Sequence, residues 1–238
     1  MSGLIQFLKS QLQTDLCIIC ARYVPLKDFI CSSCEQQLIL NTVCCKHCAR
    51  PLSSPTDTLL RCGRCQLHPP LFDFAFSPYR YEDQMIKLIH QLKFHAHIYL
   101  GRTLAHLLAD QLQRQALNQP QLLIPVPLHP MRMRQRGFNQ AAEICRHLSK
   151  SLKIPWNNQL VERHQNTHAQ RGLNAHQRHL NMQHAFHLHP EHVTQLAKIK
   201  HVAVIDDVMT TGSTALAITA ILKNAGLPKV DIWTIARA

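Results

Sequence analysis

Four C-x-x-C pairs crowd the first third of the chain: Cys17/Cys20, Cys31/Cys34, Cys45/Cys48 and Cys62/Cys65, with 10, 10 and 13 residues between successive pairs. A C-x-x-C turn aims two thiolates at one ion, and two such turns complete a tetrahedral four-thiolate shell. Four pairs therefore supply up to two structural zinc sites. Spacing alone leaves the pairing open. Sequential pairing is the simplest arrangement, and an interleaved one also fits. His47 and His68 lie close by, but cysteines already fill both shells, so they read as exposed histidines. Cys44 is a spare neighbour and Cys145 falls in a helical pattern as a core residue. A segment of this size with little apolar residue content folds only with its metal.

The cysteine reading depends on compartment. Lys9 sits inside the N-terminal apolar stretch and no small-residue cleavage site follows, so neither an export signal nor a membrane span is expected. A cytoplasmic chain keeps its cysteines as thiols or metal ligands rather than disulfides.

Composition changes after Pro69-Pro70. Residues 1–70 are expected to form the cysteine-rich double zinc-ribbon module, and 71–238 one α/β domain. Phe72 to Tyr81 reads as a first strand. Helical spacing covers about 82–94, 100–116 and 139–152, and apolar strand-like runs occupy 122–128 and 201–205. A helix from about Ser213 to Ala225 closes at Gly226 and Pro228, and a last strand starts at Val230. Strands apolar on both faces and alternating with helices predict a mostly parallel sheet with helices on both sides. Ligands of such sheets sit beyond the carboxyl ends of the strands.

The loop after the strand at 201–205 carries the most specific chemistry. Asp206 and Asp207 precede Thr210-Thr211-Gly212-Ser213-Thr214, which opens a helix. Backbone N–H groups at a helix start, four hydroxyls and one permissive glycine make a receptor for a phosphate dianion. No G-K-[ST] is present, so this is not a Walker loop. The carboxylates suit a sugar diol or Mg²⁺.

These residues resemble the 5-phosphoribosyl-1-pyrophosphate (PRPP) motif of type I phosphoribosyltransferases. The resemblance implies that Thr210, Thr211, Gly212, Ser213 and Thr214 hold the 5-phosphate, while Asp206 and Asp207 contact the ribose. It implies a pyrophosphate loop within residues 124–140, at Leu128, His129, Arg132 and Arg136, and Mg²⁺ bound with PRPP. The wording VPLHPMRMRQRGFNQA narrows this to a resemblance to the ComF family of competence proteins. It continues through Arg163, Thr167, Gln170, Leu173, Arg178, Asn181 and Ala185-Phe186, and takes in the cysteine pairs, IKLIHQLKF and the closing Ala236-Arg237. The family context implies single-stranded DNA arriving by natural transformation, and a DNA-uptake helicase or other competence proteins as partners.

The formal charge of +12 fits an anionic partner. Residues 131–188 hold nine Lys/Arg against two acidic residues. Arg132, Arg134, Arg136, Arg163, Arg171 and Arg178 are the expected DNA-contacting charges, and Arg178 joins Asp206 and Asp207 as a catalytic candidate in a mobile loop over 163–184. Phe138, Trp156 and Phe186 are the aromatics available for stacking there, with Phe138 read as a core anchor. A catalytically active phosphoribosyltransferase and a zinc-ribbon adaptor stand as alternatives to a PRPP-binding DNA-uptake protein.

Overall fold

The computed structural model describes residues 16–24, 30–53, 61–94, 97–164 and 185–238. At its centre lies a parallel sheet built from β1 (Phe74–Phe76), β2 (Tyr79–Arg80), β3 (Leu122–Pro125), β6 (His201–Met209) and β7 (Lys229–Arg237). The order is β1-β7-β6-β3, with β2 also pairing β7. The expected first strand is therefore two short segments, broken at Ser77-Pro78, where proline cannot donate to a ladder. β6 and β7 are buried along nearly their whole length, which explains their uninterrupted apolar sequence.

Alternate residues of each strand feed opposite layers. Leu123, Ala203, Ile205, Trp233 and Ile235 pack with α3 (Asp83–Phe94), α4 (Leu100–Arg114) and α6 (Gln140–Leu152). Ile124, Val202, Val204, Val230 and Ile232 face the other way, toward Ala215, Ala217, Ile218 and Leu222 of α8 (Ser213–Asn224). Met85, Leu88, Ile89 and Leu92 are the buried stripe of α3, the side its spacing predicts.

The cysteine-rich segment attaches to both layers. Cys17 and Cys34 join the cluster containing α3 and α4, where α1 (Ser32–Gln36) lies. Cys45, Cys48, Cys62 and Cys65 join the cluster on the α8 side, with α2 (Gly63–Leu67).

Five short elements depart from the periodicity reading. A short helix, α5 (Pro130–Arg136), occupies the basic stretch. An antiparallel pair, β4 (Val161–Arg163) with β5 (Phe186–Leu188), stands outside the main sheet. A short helix, α7 (Pro190–Val193), and a 3₁₀ turn follow β5. Arg171, Arg178, Thr167, Gln170, Leu173 and Asn181 lie outside the described residues, as does most of the expected mobile loop. Among the described residues, no helix is long and apolar enough to cross a membrane.

Candidate phosphate site and metal centres

β6 runs four residues further than its apolar core suggests, to Met209, so Asp206 and Asp207 are strand residues rather than its end. Pairing with Thr234 and Ala236 of β7 holds this polar extension in the sheet. Alternation then turns the two carboxylates to different surroundings: Asp207 is buried and Asp206 partly so. Gly212, at φ +82° and ψ 5°, occupies the left-handed region and turns the chain into α8. The Thr211 and Ser213 hydroxyls lie 2.9 Å apart, and Ser213 N–H donates to Thr211 Oγ1 at 3.4 Å. A cavity of about 50 Å³ lies among Asp206 and Thr210–Ala215. The hydroxyl turn thus follows the acid pair directly, as the sequence indicates.

The stretch Arg136-Gly137-Phe138-Asn139-Gln140 converges on that acid pair. His129 caps α5 by accepting from Met131 N–H at Nδ1, 3.2 Å. Gly137, at φ +82°, ends α5 in the left-handed conformation that glycine takes without Cβ strain. Phe138 is buried, as a core anchor. Asn139 caps α6, its Oδ1 accepting from Ala141 N–H at 3.0 Å, while its amide donates to Val126 O at 3.0 Å. Gln140 Nε2 then donates to Asp207 Oδ1 at 3.4 Å, and Arg136 donates to Gln140 Oε1. Together these contacts join the basic helix to the acid pair.

Lys93, at the end of α3, forms an ion pair with Asp207. Sequence reading missed it, although it lies inside the IKLIHQLKF segment. Burial first, and the neighbouring Asp207 second, hold the Asp206 carboxyl well above the usual carboxylate range, with Lys93 opposing. The pair is therefore reluctant to carry two full charges without a further cation.

Arg163 stacks over the Phe186 ring with its guanidinium carbon 5.5 Å from the centroid. Burial lowers its pKa, Arg132 lowers it further, and Asp206 opposes both, which puts these charges within one electrostatic neighbourhood. Phe186, like Phe138, is buried, and Trp156 is half-buried. The exposed aromatic beside the site is Phe94, under Arg136 at 5.5 Å. Arg134 is exposed, while Leu128, Arg132 and Arg136 are partly so and His129 is buried.

The eight paired cysteines form two groups, Cys17/Cys20/Cys31/Cys34 and Cys45/Cys48/Cys62/Cys65, with all sulfurs of a group within 4.8 Å of one another. The pairing is sequential. Both groups could hold a metal ion such as zinc. Burial alone raises the Cys17 thiol, but N–H donors from Cys31, Cys20 and Ile19 outweigh it and bring it down to about 6. Burial and the surrounding sulfurs push Cys34 up. The same division separates Cys45, brought down to about 7, from Cys65, pushed up. Four thiolates cannot coexist in such a space without a cation, which is the donor set that a structural zinc completes. His47 is half-buried rather than exposed, with its Nε2 2.8 Å from Phe72 O.

The second group reaches the Thr210–Thr214 turn. Arg237, buried at the end of β7, donates from Nε to Cys48 O at 3.1 Å and through its terminal nitrogen to Met209 O at 2.8 Å and to Thr210 O. Arg64, between two cysteines, donates to Thr211 O at 3.1 Å. A cleft of about 500 Å³ separates this group from α8.

A parallel sheet with helices on both faces, an acid pair leading into a hydroxyl-rich turn on β6–α8, and two four-cysteine groups that could hold a metal such as zinc define an α/β protein with an N-terminal cysteine-rich segment. The chain belongs to the ComF family of competence proteins. It is 36% identical to competence protein F of Haemophilus influenzae, over 74% of this chain and 78% of that protein. It is 33% identical to DNA utilization protein YhgH of Escherichia coli K12, over 76% and 80%. The YhgH protein of Salmonella typhimurium matches at 32% over 93% and 90%. No family model matches the chain. Among solved structures, a glutamine PRPP amidotransferase from B. subtilis aligns with a TM-score of 0.37 at 15% identity, over 58% of this chain and 27% of that one. A purine phosphoribosyltransferase from Pyrococcus horikoshii aligns with a TM-score of 0.33 at 15% identity, over 57% and 80%.

Proposed function

We propose that this protein binds PRPP together with Mg²⁺ at the β6–α8 turn and acts in DNA uptake, on single-stranded DNA entering the cytoplasm. The observation that carries the reading is the convergence of Asp206-Asp207, the Thr210–Thr214 turn, Lys93 and the Arg136–Gln140 arm at the carboxyl end of β6. The turn offers N–H groups and hydroxyls to the 5-phosphate, and the acid pair accepts from the ribose diol. Mg²⁺, when bound, neutralises pyrophosphate charge. Arg132 and Arg136 face the same charge from the protein side, and Lys93 is released toward it when Asp207 turns to the sugar.

The DNA-uptake role follows from membership of a family with relatives named for competence and DNA utilization. Arg132, Arg134 and Arg163, beside the phosphate site, are its proposed strand contacts, with Arg171 and Arg178 assigned to the same task by sequence. A helicase or another competence protein that delivers the strand is the expected partner.

Calorimetric titration with PRPP and Mg²⁺ tests the first half of the reading. Binding is expected for the native chain and absent for the Asp206→Ala, Asp207→Ala double variant. A folded, zinc-loaded native chain without heat or thermal shift at saturating PRPP overturns it. Pyrophosphate release in an acceptor screen on the same sample separates a transferase from a PRPP-binding protein.

A further inference from the structure

Eight of the 17 histidines fall between His164 and His192. The described ones gather on the β4–β5 pair. Register places Glu162 opposite His187, with His164 one pleat further along the same face. His187 Nε2 lies 2.9 Å from Glu162 Oε2, and His187 Nδ1 lies 3.0 Å from His164 Nδ1. The other carboxylate oxygen, Glu162 Oε1, faces His189 Nε2 at 3.8 Å.

Tautomer logic gives this geometry a chemical meaning. A carboxylate accepts only, so the proton of a neutral His187 resides on Nε2 and its Nδ1 carries the lone pair. That lone pair accepts the Nδ1–H of His164 in the metal-free chain, and an ion bound between the two rings displaces this proton. Two nitrogens bound at about 2.0–2.1 Å to one ion stand about 2.9 Å apart at a right angle and about 3.3 Å apart in a tetrahedron. The observed 3.0 Å falls within that interval. An imidazole that ligates through one nitrogen and donates from the other to a carboxylate is the arrangement that orients metal-binding histidines. Glu162 does this for His187 and sits beside His189 as well.

We infer that His164 and His187 form a two-imidazole site for a divalent first-row ion with nitrogen preference, such as Ni²⁺, Cu²⁺ or Zn²⁺, with Glu162 as its positioning carboxylate. The site is open to solvent, with His164 and His187 both exposed, so water completes the shell. It is separate from the cysteine groups, which offer soft thiolates on other elements. The chain runs from His164 into residues 165–184 and returns at Ala185, so an ion held here ties together the two ends of that stretch.

The test uses the full chain with its cysteine groups loaded with zinc, titrated with Ni²⁺ by calorimetry at pH 7.5. One saturable Ni²⁺ site per chain is expected. It should disappear in the His164→Gln, His187→Gln double variant and survive in His106→Gln, an exposed histidine on α4. Glu162→Gln keeps both ligands and should weaken Ni²⁺ by about 10–100-fold through lost orientation. Circular dichroism and zinc content identify any variant that fails to fold, and Glu162→Gln then carries the comparison. A native chain without a saturable Ni²⁺ site, or a folded double variant with undiminished affinity, overturns the inference.

Discussion

Asp206, a proposed ribose contact, shows how a residue can work against its own fold. Its pKa is raised, so the folded chain holds a proton that the unfolded chain has already released. The folded state therefore binds more protons between the ordinary carboxylate pKa and the raised one, and stability falls as pH rises through that window. Asp206→Asn removes the penalty while keeping shape. At neutral pH its melting midpoint is expected to rise, by about 2–4 °C for each kcal/mol recovered, while the PRPP response disappears. An unchanged or lower midpoint in a scan at pH 7 would contradict this account of the acid pair. Gly212 makes the opposite case. Its φ of +82° costs a residue with Cβ about 1–2 kcal/mol, so Gly212→Ala should lower both the melting midpoint and PRPP affinity. Sequence alone singles out both positions because an acid pair and a lone glycine among hydroxyls are unusual after an apolar strand. It did not identify Lys93, whose approach to Asp207 depends on how α3 packs across the sheet rather than on any local pattern.

At the scale of elements, legibility follows periodicity. α3, α4, α6 and α8 each bury one stripe over three turns or more, and the parallel strands are apolar on both faces, so sequence finds them within a few residues. β4 and β5 have three residues each, too few for alternation to register, and their partners are far apart in the chain. α5 buries no side chain, so its composition carries no stripe at all; Pro130 at its first turn and Gly137 at its end are its only marks. That same exposure makes α5 the element to test for DNA contact. Single-stranded DNA affinity should fall linearly on a log–log plot against salt. Replacing Arg132 and Arg134 by Ala should reduce the slope by about 0.7 for each phosphate contact removed. A slope unchanged in filter-binding assays would place the strand elsewhere.

On the scale of the whole molecule, the two cysteine groups brace opposite layers of one sheet, and among the described residues only the second reaches the Thr210–Thr214 turn. Cys17 and Cys34 pack with α3 and α4. Cys48 offers its carbonyl to Arg237, and that side chain also holds the carbonyls of Met209 and Thr210, while Arg64 holds Thr211. Zinc lost from the second group would free Cys48 and Cys62 and with them the framework on which both arginines rest. A lost hydrogen bond costs about 0.5–1.5 kcal/mol, and about 1.4 kcal/mol is tenfold in Kd. Cys62→Ser is thus expected to release one zinc and weaken PRPP binding by about tenfold or more. Cys17→Ser should also release one zinc and lower the melting midpoint, yet leave the PRPP affinity of the folded fraction close to native. Metal quantification paired with PRPP calorimetry on both variants reads the difference. Equal losses of affinity would mean that both groups act through global stability alone. A loss confined to Cys62→Ser makes the second group part of the phosphate site, and Arg237→Lys, which keeps the charge but cannot reach three carbonyls at once, should then reproduce it with both zincs in place.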